Sequence, residues 1–254
     1  MNVMKKRMGR IGIVIALLFS VFSTGAMASN AENGPVSDEV ELITAYEVTE
    51  NGLVEISKDK YLEIVRENEK REKDQRKGKY MQKKEAQESK KCDEVTIACT
   101  GDFFVFSRSG TNSSVLMNSK KEIISQRKYN DTVDNMSWGF ISSTMTTYQA
   151  NISLTIGKKD AITAVIGGSW QQSKMYSDTV TATIRPGYTA WVEFTPYMKN
   201  DWGYLEKWNY CAFPSYSEWY TGTKEWVDLY TPTTLSNGQS NGFVTVVARQ
   251  GKLT

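Results

Sequence analysis

The sequence contains no histidine, which removes the side chain most often used as a general base and as a metal ligand. Cysteine is scarce: Cys92, Cys99 and Cys211 are the whole supply, too few for a cysteine metal site and an odd number, so any single bridge leaves one thiol over. After the first thirty residues no stretch is apolar enough to span a bilayer as a helix, and no lipid-anchor or sorting signal is visible before Thr254. An excess of positive charge is missing as well. Four of the 31 Lys and Arg lie in residues 1–28, which leaves 27 against 29 Asp and Glu. Without a basic field, nucleic acid is not an expected partner.

What is present begins with an export signal. Lys5, Lys6, Arg7 and Arg10 precede an uncharged run from Ile11 to Phe22 and a small-residue end at Ala26-Met27-Ala28, the order of a cleavable secretory signal peptide. The run is about a dozen residues, short of the roughly 20 a spanning helix needs. Residues 1–28 are therefore expected to be removed between Ala28 and Ser29, and the mature protein to be extracellular. Export permits a disulfide; Cys99–Cys211 and Cys92–Cys99 are the two candidate bridges.

Residues 29–57 carry no Lys or Arg and read as a flexible or weakly extended acidic leader. Residues 58–91 hold 13 basic and 8 acidic side chains, with apolar residues nearly confined to Tyr61, Leu62, Ile64 and Val65. Ser57 can cap a helix there, and pairs such as Glu67 with Arg71 sit at helical spacing. The expectation is a charged helix with almost no face to bury, a solvated spacer or pro-segment. Its local positive excess offers a second use, holding an anionic wall or membrane surface.

From Cys92 the pattern alternates with a period of two, so residues 92–254 are expected to form an antiparallel β domain, a sheet or a sandwich. The alternation runs through Val95, Ile97 and Cys99; through Tyr148, Ala150, Ile152, Leu154 and Ile156 to a turn at 157–160; and through Ile162, Ala164 and Ile166. Val180, Ala182 and Ile184 lead to a turn at Arg185-Pro186-Gly187, with Tyr188, Ala190, Val192 and Phe194 beyond it and a final strand from Phe243 to Ala248.

No catalytic constellation is visible. A G-x-S-x-G elbow is absent, Cys211 lacks an imidazole partner, and a carboxylate pair such as Glu193 with Asp201 is an arrangement only folding could assemble. An enzyme is not expected, and no cofactor or metal is called for. Two features remain as candidate interaction sites. Trp191, Trp202, Trp208, Trp219 and Trp226, with many tyrosines between them, either pack a core or present rings to sugars or to a membrane interface. The span from Ser142 to Ile184 has few charges and alternates apolar residues with Ser, Thr, Gln and Asn, as does a half-buried sheet or a membrane-inserting hairpin.

The order Ala164-Val165-Ile166-Gly167-Gly168-Ser169, then Tyr176 to Ile184, then Pro186-Gly187-Tyr188 into an aromatic strand, resembles secreted β-rich proteins of Gram-positive bacteria. More distantly it is similar to the aerolysin and epsilon-toxin class of β-pore-forming proteins. The likeness covers Trp138 to Tyr197. It implies an elongated β fold and a secreted, non-enzymatic role: a binding module for a cell-wall glycan, another protein or a membrane surface, or a pore-former that oligomerises and inserts its Ser/Thr-rich hairpin.

Overall fold

The computed structural model describes residues 39–87, 101–212 and 216–253, without the side chains of 83–87. The signal segment with Ala28 and Ser29, and the stretch with Cys92 and Cys99, lie outside the described residues. The elements are β1 (Glu41–Thr49), β2 (Gly52–Ile56), α1 (Lys58–Gln87), β3 (Gly101–Leu116), β4 (Glu122–Ile123), β5 (Lys128–Tyr129), β6 (Met136–Thr146), β7 (Gln149–Ala150), α2 (Ile156–Ile166), β8 (Lys174–Ile184), β9 (Tyr188–Cys211), β10 (Ser217–Pro232) and β11 (Gly242–Gln250). The protein is mainly β and antiparallel, in line with the period-two alternation.

β9, 24 residues long, is the spine. One of its edges is lined in succession by β3, β4 and β5, and the other by β10 and β11. The joints keep the ladder intact: Tyr197 accepts from the amide of Thr233 and donates to Asn241 on one side, while Pro196 accepts from Met117 on the other. β1 adds to β11 and β2 to β1, and β7 pairs with β10.

β6 and β8 form a separate two-stranded ribbon with unbroken register from Met136↔Ile184 to Thr146↔Lys174. Its inner face, with Phe140, Tyr176, Val180 and Ile184, closes a core against Val192 and Phe194 of β9 and Val244 and Val246 of β11. Tyr176 stacks on Phe194 at 5.1 Å, and burial raises its phenol pKa. The Arg185-Pro186-Gly187 turn, with Gly187 at φ 75°, does not join two paired strands. It carries the chain from the ribbon to the sheet.

Three expectations need correction. Residues 41–56 are not a loose leader, because β1 and β2 belong to the sheet and bury Ala45, Val48 and Ile56; the β domain thus starts well before Cys92. Residues 156–166 are helix rather than turn and strand. Ile162 and Ile166, four apart, fit a helical face as well as an alternating one, and together with Ala161 they pack against Phe106, Leu205 and Trp170. Gly167, at φ 87°, ends that helix. The inserting hairpin read from Ser142 to Ile184 is accordingly two strands separated by α2.

The third correction concerns α1. It forms as anticipated: the amide of Lys60 donates to Ser57 Oγ at 3.3 Å, and Arg76 pairs with Glu72 one turn back at 3.2 Å. Yet it is docked rather than solvated. Tyr61, Ile64 and Val65 meet Leu116, Tyr197 and Phe243. Asn68 is buried and bonds both backbone groups of Leu116, donating to its carbonyl at 2.7 Å and accepting from its amide at 3.0 Å.

Candidate functional site

Beyond the joint at Tyr197, strand alternation sends the two faces of β9 to different covers. Leu205 points toward α2 with Phe106, Val227 and Leu229. Its neighbours in the other direction, Asn200, Trp202, Tyr204, Trp208 and Tyr210, point toward the side along which α1 runs. The register places Tyr230 beside Asn200, Trp226 beside Tyr204, and Tyr220 and Phe103 on either side of Trp208. Directly paired residues share a face, so the outer face carries a strip of rings. Ten residues of strand make it about 33 Å long.

The rings contact one another across the strands. Tyr204 meets Trp226 edge-on at 5.0 Å. Phe103, Trp208 and Tyr220 form a transverse row with centroids 6.5 and 5.8 Å apart, and Tyr210 adjoins Tyr216 at 6.2 Å. All are half-buried except Tyr216, which is exposed. Two glycines on β3 make room: a Cβ on Gly110 would lie 2.4 Å from the Trp202 ring, and one on Gly101 would lie 2.9 Å from Tyr210.

The proximal end of the strip is closed by α1. Lys79 Nζ reaches Asn200 Oδ1 at 2.6 Å and the two Asp228 oxygens at 2.8 and 3.0 Å. It also lies 4.6 Å from the Trp202 ring centre and 5.4 Å from that of Tyr230. Burial pulls the ammonium pKa down, while the hydrogen bond and charge of Asp228 work the other way. Burial, with the Asp228 carboxylate second, pushes the Tyr230 phenol up to about 12. One turn further along α1, the Trp202 indole donates to Gln82 Oε1 at 3.2 Å and the Tyr204 hydroxyl to the Gln82 carbonyl at 3.1 Å.

Of the five tryptophans singled out by sequence, Trp202, Trp208 and Trp226 share this strip. Trp219 pairs with Asn209 and so faces the other way from its neighbour Tyr220. Trp191 is buried in the proximal half of β9, where its indole donates to Glu193 at 3.0 Å. Phe103, Tyr204 and Tyr220 complete the strip, and the ring spacing at 202, 204, 208 and 210 was a period-two signal for it. Lys79, Asn200 and Asp228 had no local signal.

Glu193 and Asp201 do not converge. They lie eight residues apart on one strand, about 26 Å, and each has its own cations: Lys121 at 3.2 Å for Glu193, Lys199 at 3.0 Å and Arg108 at 3.5 Å for the wholly buried Asp201. Among the described residues no group of three or more His, Cys, Asp or Glu is placed to hold a metal ion, and no helix is long and apolar enough to cross a membrane. Cys211 is buried at the end of β9; a bridge to Cys92 or Cys99 would involve residues outside those described.

The outer face of the β6–β8 ribbon is the second exposed feature. Its pairs are Ser137 with Thr183, Gly139 with Thr181, Ile141 with Thr179, Ser143 with Ser177 and Met145 with Met175. None is charged, and Ile141 is 81% exposed. Comparison with protein-family models, with curated proteins and with solved structures finds no match.

Proposed function

We propose that the chain is an exported, non-enzymatic protein that binds an extended ligand along the ring strip of β3, β9 and β10, a cell-surface glycan being the chemistry that fits. The observation that carries this is the row Phe103–Trp208–Tyr220, with spacings of 6.5 and 5.8 Å, on a face over which no apolar layer lies among the described residues. The apolar face of a sugar ring lies flat on an aromatic ring, and its hydroxyls remain free for polar neighbours such as Glu206 and Lys224. Rigid rings on paired strands lose little conformational freedom when they bind.

A second reading, membrane insertion, is favoured by the ribbon. β6 and β8 have 11 residues each, close to the roughly 9–11 of a tilted membrane-spanning strand, with one face that is apolar from Met136↔Ile184 to Phe140↔Val180 but carries Asp178 and Lys174 beyond, and one uncharged, Ser/Thr-rich face. Against it stands α2, which would have to leave its core with Leu205 and Trp170.

One experiment separates the two. The full secreted chain is incubated with insoluble peptidoglycan, with a panel of polysaccharides, and with dye-loaded phospholipid vesicles. Glycan retention that falls at least tenfold in Trp208→Ala and is unchanged in Trp219→Ala, on the opposite face, is the expected result. Failure to bind any glycan sinks the first reading. Dye release that survives Trp208→Ala moves the assignment to insertion.

A further inference from the structure

We infer that Trp202, Tyr230, Asp228 and Asn200 form a binding site for a primary ammonium group, and that Lys79 of α1 occupies it as an internal stand-in for a ligand presented from outside. This inference rests on the ring-strip reading and adds a ligand class to it: a glycan whose sugars carry free amino groups.

The first argument is the fit between donor and acceptors. A primary ammonium has three N–H donors. The site offers three acceptors within 3.0 Å of Lys79 Nζ, namely Asn200 Oδ1 and both oxygens of Asp228, and flanks the cation with two ring faces. Carboxylate, amide and aromatic faces together are what an alkylammonium demands when it leaves water. A quaternary ammonium has no N–H to give to those oxygens, so the arrangement discriminates against it.

The second argument is that the walls stand without the helix. Asn200 Nδ2 donates to Asp228 Oδ1 at 2.7 Å and to the Leu229 carbonyl at 3.1 Å, which orients its Oδ1 toward the cation. The Asp228 amide is held by Asn151 Oδ1 at 2.6 Å, and the Trp202 ring lies over Gly110, where any side chain would collide with it. Every wall belongs to β9 or β10; α1 brings the cation and two further polar contacts, Gln75 to Asn200 Oδ1 and Gln82 to the Trp202 indole.

The third argument is that the cation can be withdrawn. α1 has an apolar anchor in its first two turns, at Tyr61, Ile64 and Val65, and the buried Asn68 beyond it. Past Asn68 the contacts of its described side chains with the sheet are polar or cation–π: Gln75 to Asn200 at 3.1 Å, Lys79, and Gln82. Such contacts exchange for water at small net cost, so this half of the helix belongs to the low end of the local-stability range. Lifting it exposes the site at the proximal end of the ring strip, next to Tyr204 and Trp226, where a bound sugar chain would place an amino group.

The test uses the full chain as wild type, Lys79→Ala and the double variant Lys79→Ala/Asp228→Asn. Each is titrated with n-butylammonium, with tetramethylammonium and with NaCl at matched ionic strength, read by tryptophan fluorescence and by the thermal midpoint. The expected result is saturable n-butylammonium binding by Lys79→Ala, at least tenfold tighter than by wild type, lost in the double variant and not reproduced by tetramethylammonium. A folded Lys79→Ala that responds to the three salts alike overturns the inference. If the alanine variant does not fold, hydrogen exchange on wild type decides: n-butylammonium must speed exchange across residues 69–87 more than NaCl does, and equal rates overturn it. A second arm compares glucosamine oligomers with their N-acetylated forms. Tighter binding of the free amine supports the ligand class. Glycan binding indifferent to acetylation overturns this inference while leaving the ring-strip reading in place.

Discussion

The distal half of β9 is covered on both faces by a helix, and the two covers are made of different materials. α2, 11 residues long, seals its face with hydrocarbon: Ala161 and Ile162 meet Phe106, Leu205, Val227 and Leu229, and Trp170 completes the layer. α1, 30 residues long, meets the opposite face past Asn68, among the described side chains, through Gln75, Lys79 and Gln82. Full burial of each large aliphatic side chain contributes about 1.5–3 kcal/mol. A polar contact that replaces contacts with water contributes about 0.5–1.5 kcal/mol, and a buried ion pair can come out near zero once desolvation is counted. One strand thus carries a permanent cover on one side and a detachable one on the other, and the detachable cover lies over the rings.

The largest break in this symmetry is expected at Ile162→Ala. That side chain is wholly buried, and its truncation should cost about 2–5 kcal/mol, with all probes of a denaturant titration shifting together because the apolar cover is part of the cooperative unit. A smaller and more local effect is expected at Asn68→Ala. It would leave the buried amide and carbonyl of Leu116 without their partner, a loss of about 1–3 kcal/mol. Helical circular dichroism should then fall at lower denaturant than tryptophan fluorescence. Coincident curves for Asn68→Ala would show that α1 is as integral as α2, and separated curves for Ile162→Ala would show the reverse for α2.

Much of the β body was legible in the residues. Val180 to Ile184 alternates cleanly because one of its faces is core; Tyr188 to Phe194 and Phe243 to Ala248 are apolar-rich runs buried on nearly every position, and all three lie in strands. β1 and β2 were hidden by their acidity: Glu41, Glu47, Glu50 and Glu55 suggest a solvated leader, while only Ala45, Val48 and Ile56 are buried. α2 was hidden by the overlap of two periods at Ile162 and Ile166. The docking of α1 left a hydrophobic trace only in its first two turns, at Tyr61, Ile64 and Val65; past them a buried Asn68 and a buried Lys79 look solvated in a stretch of charges. The ring strip could be half read: alternation puts Trp202, Tyr204, Trp208 and Tyr210 on one face, but which face stays open depends on where the helices land. The ammonium site could not be read at all, because Lys79 lies 121 residues from Asn200 and 149 from Asp228.

The most direct measurement is native-state hydrogen exchange, comparing residues 69–87 of α1 with residues 156–166 of α2. The two-cover account requires amides of the first group to open at a free energy well below that of global unfolding, and those of the second to open only when the whole domain does. Equal protection in both helices would contradict it, and the ring face would then be a sealed layer rather than a covered surface.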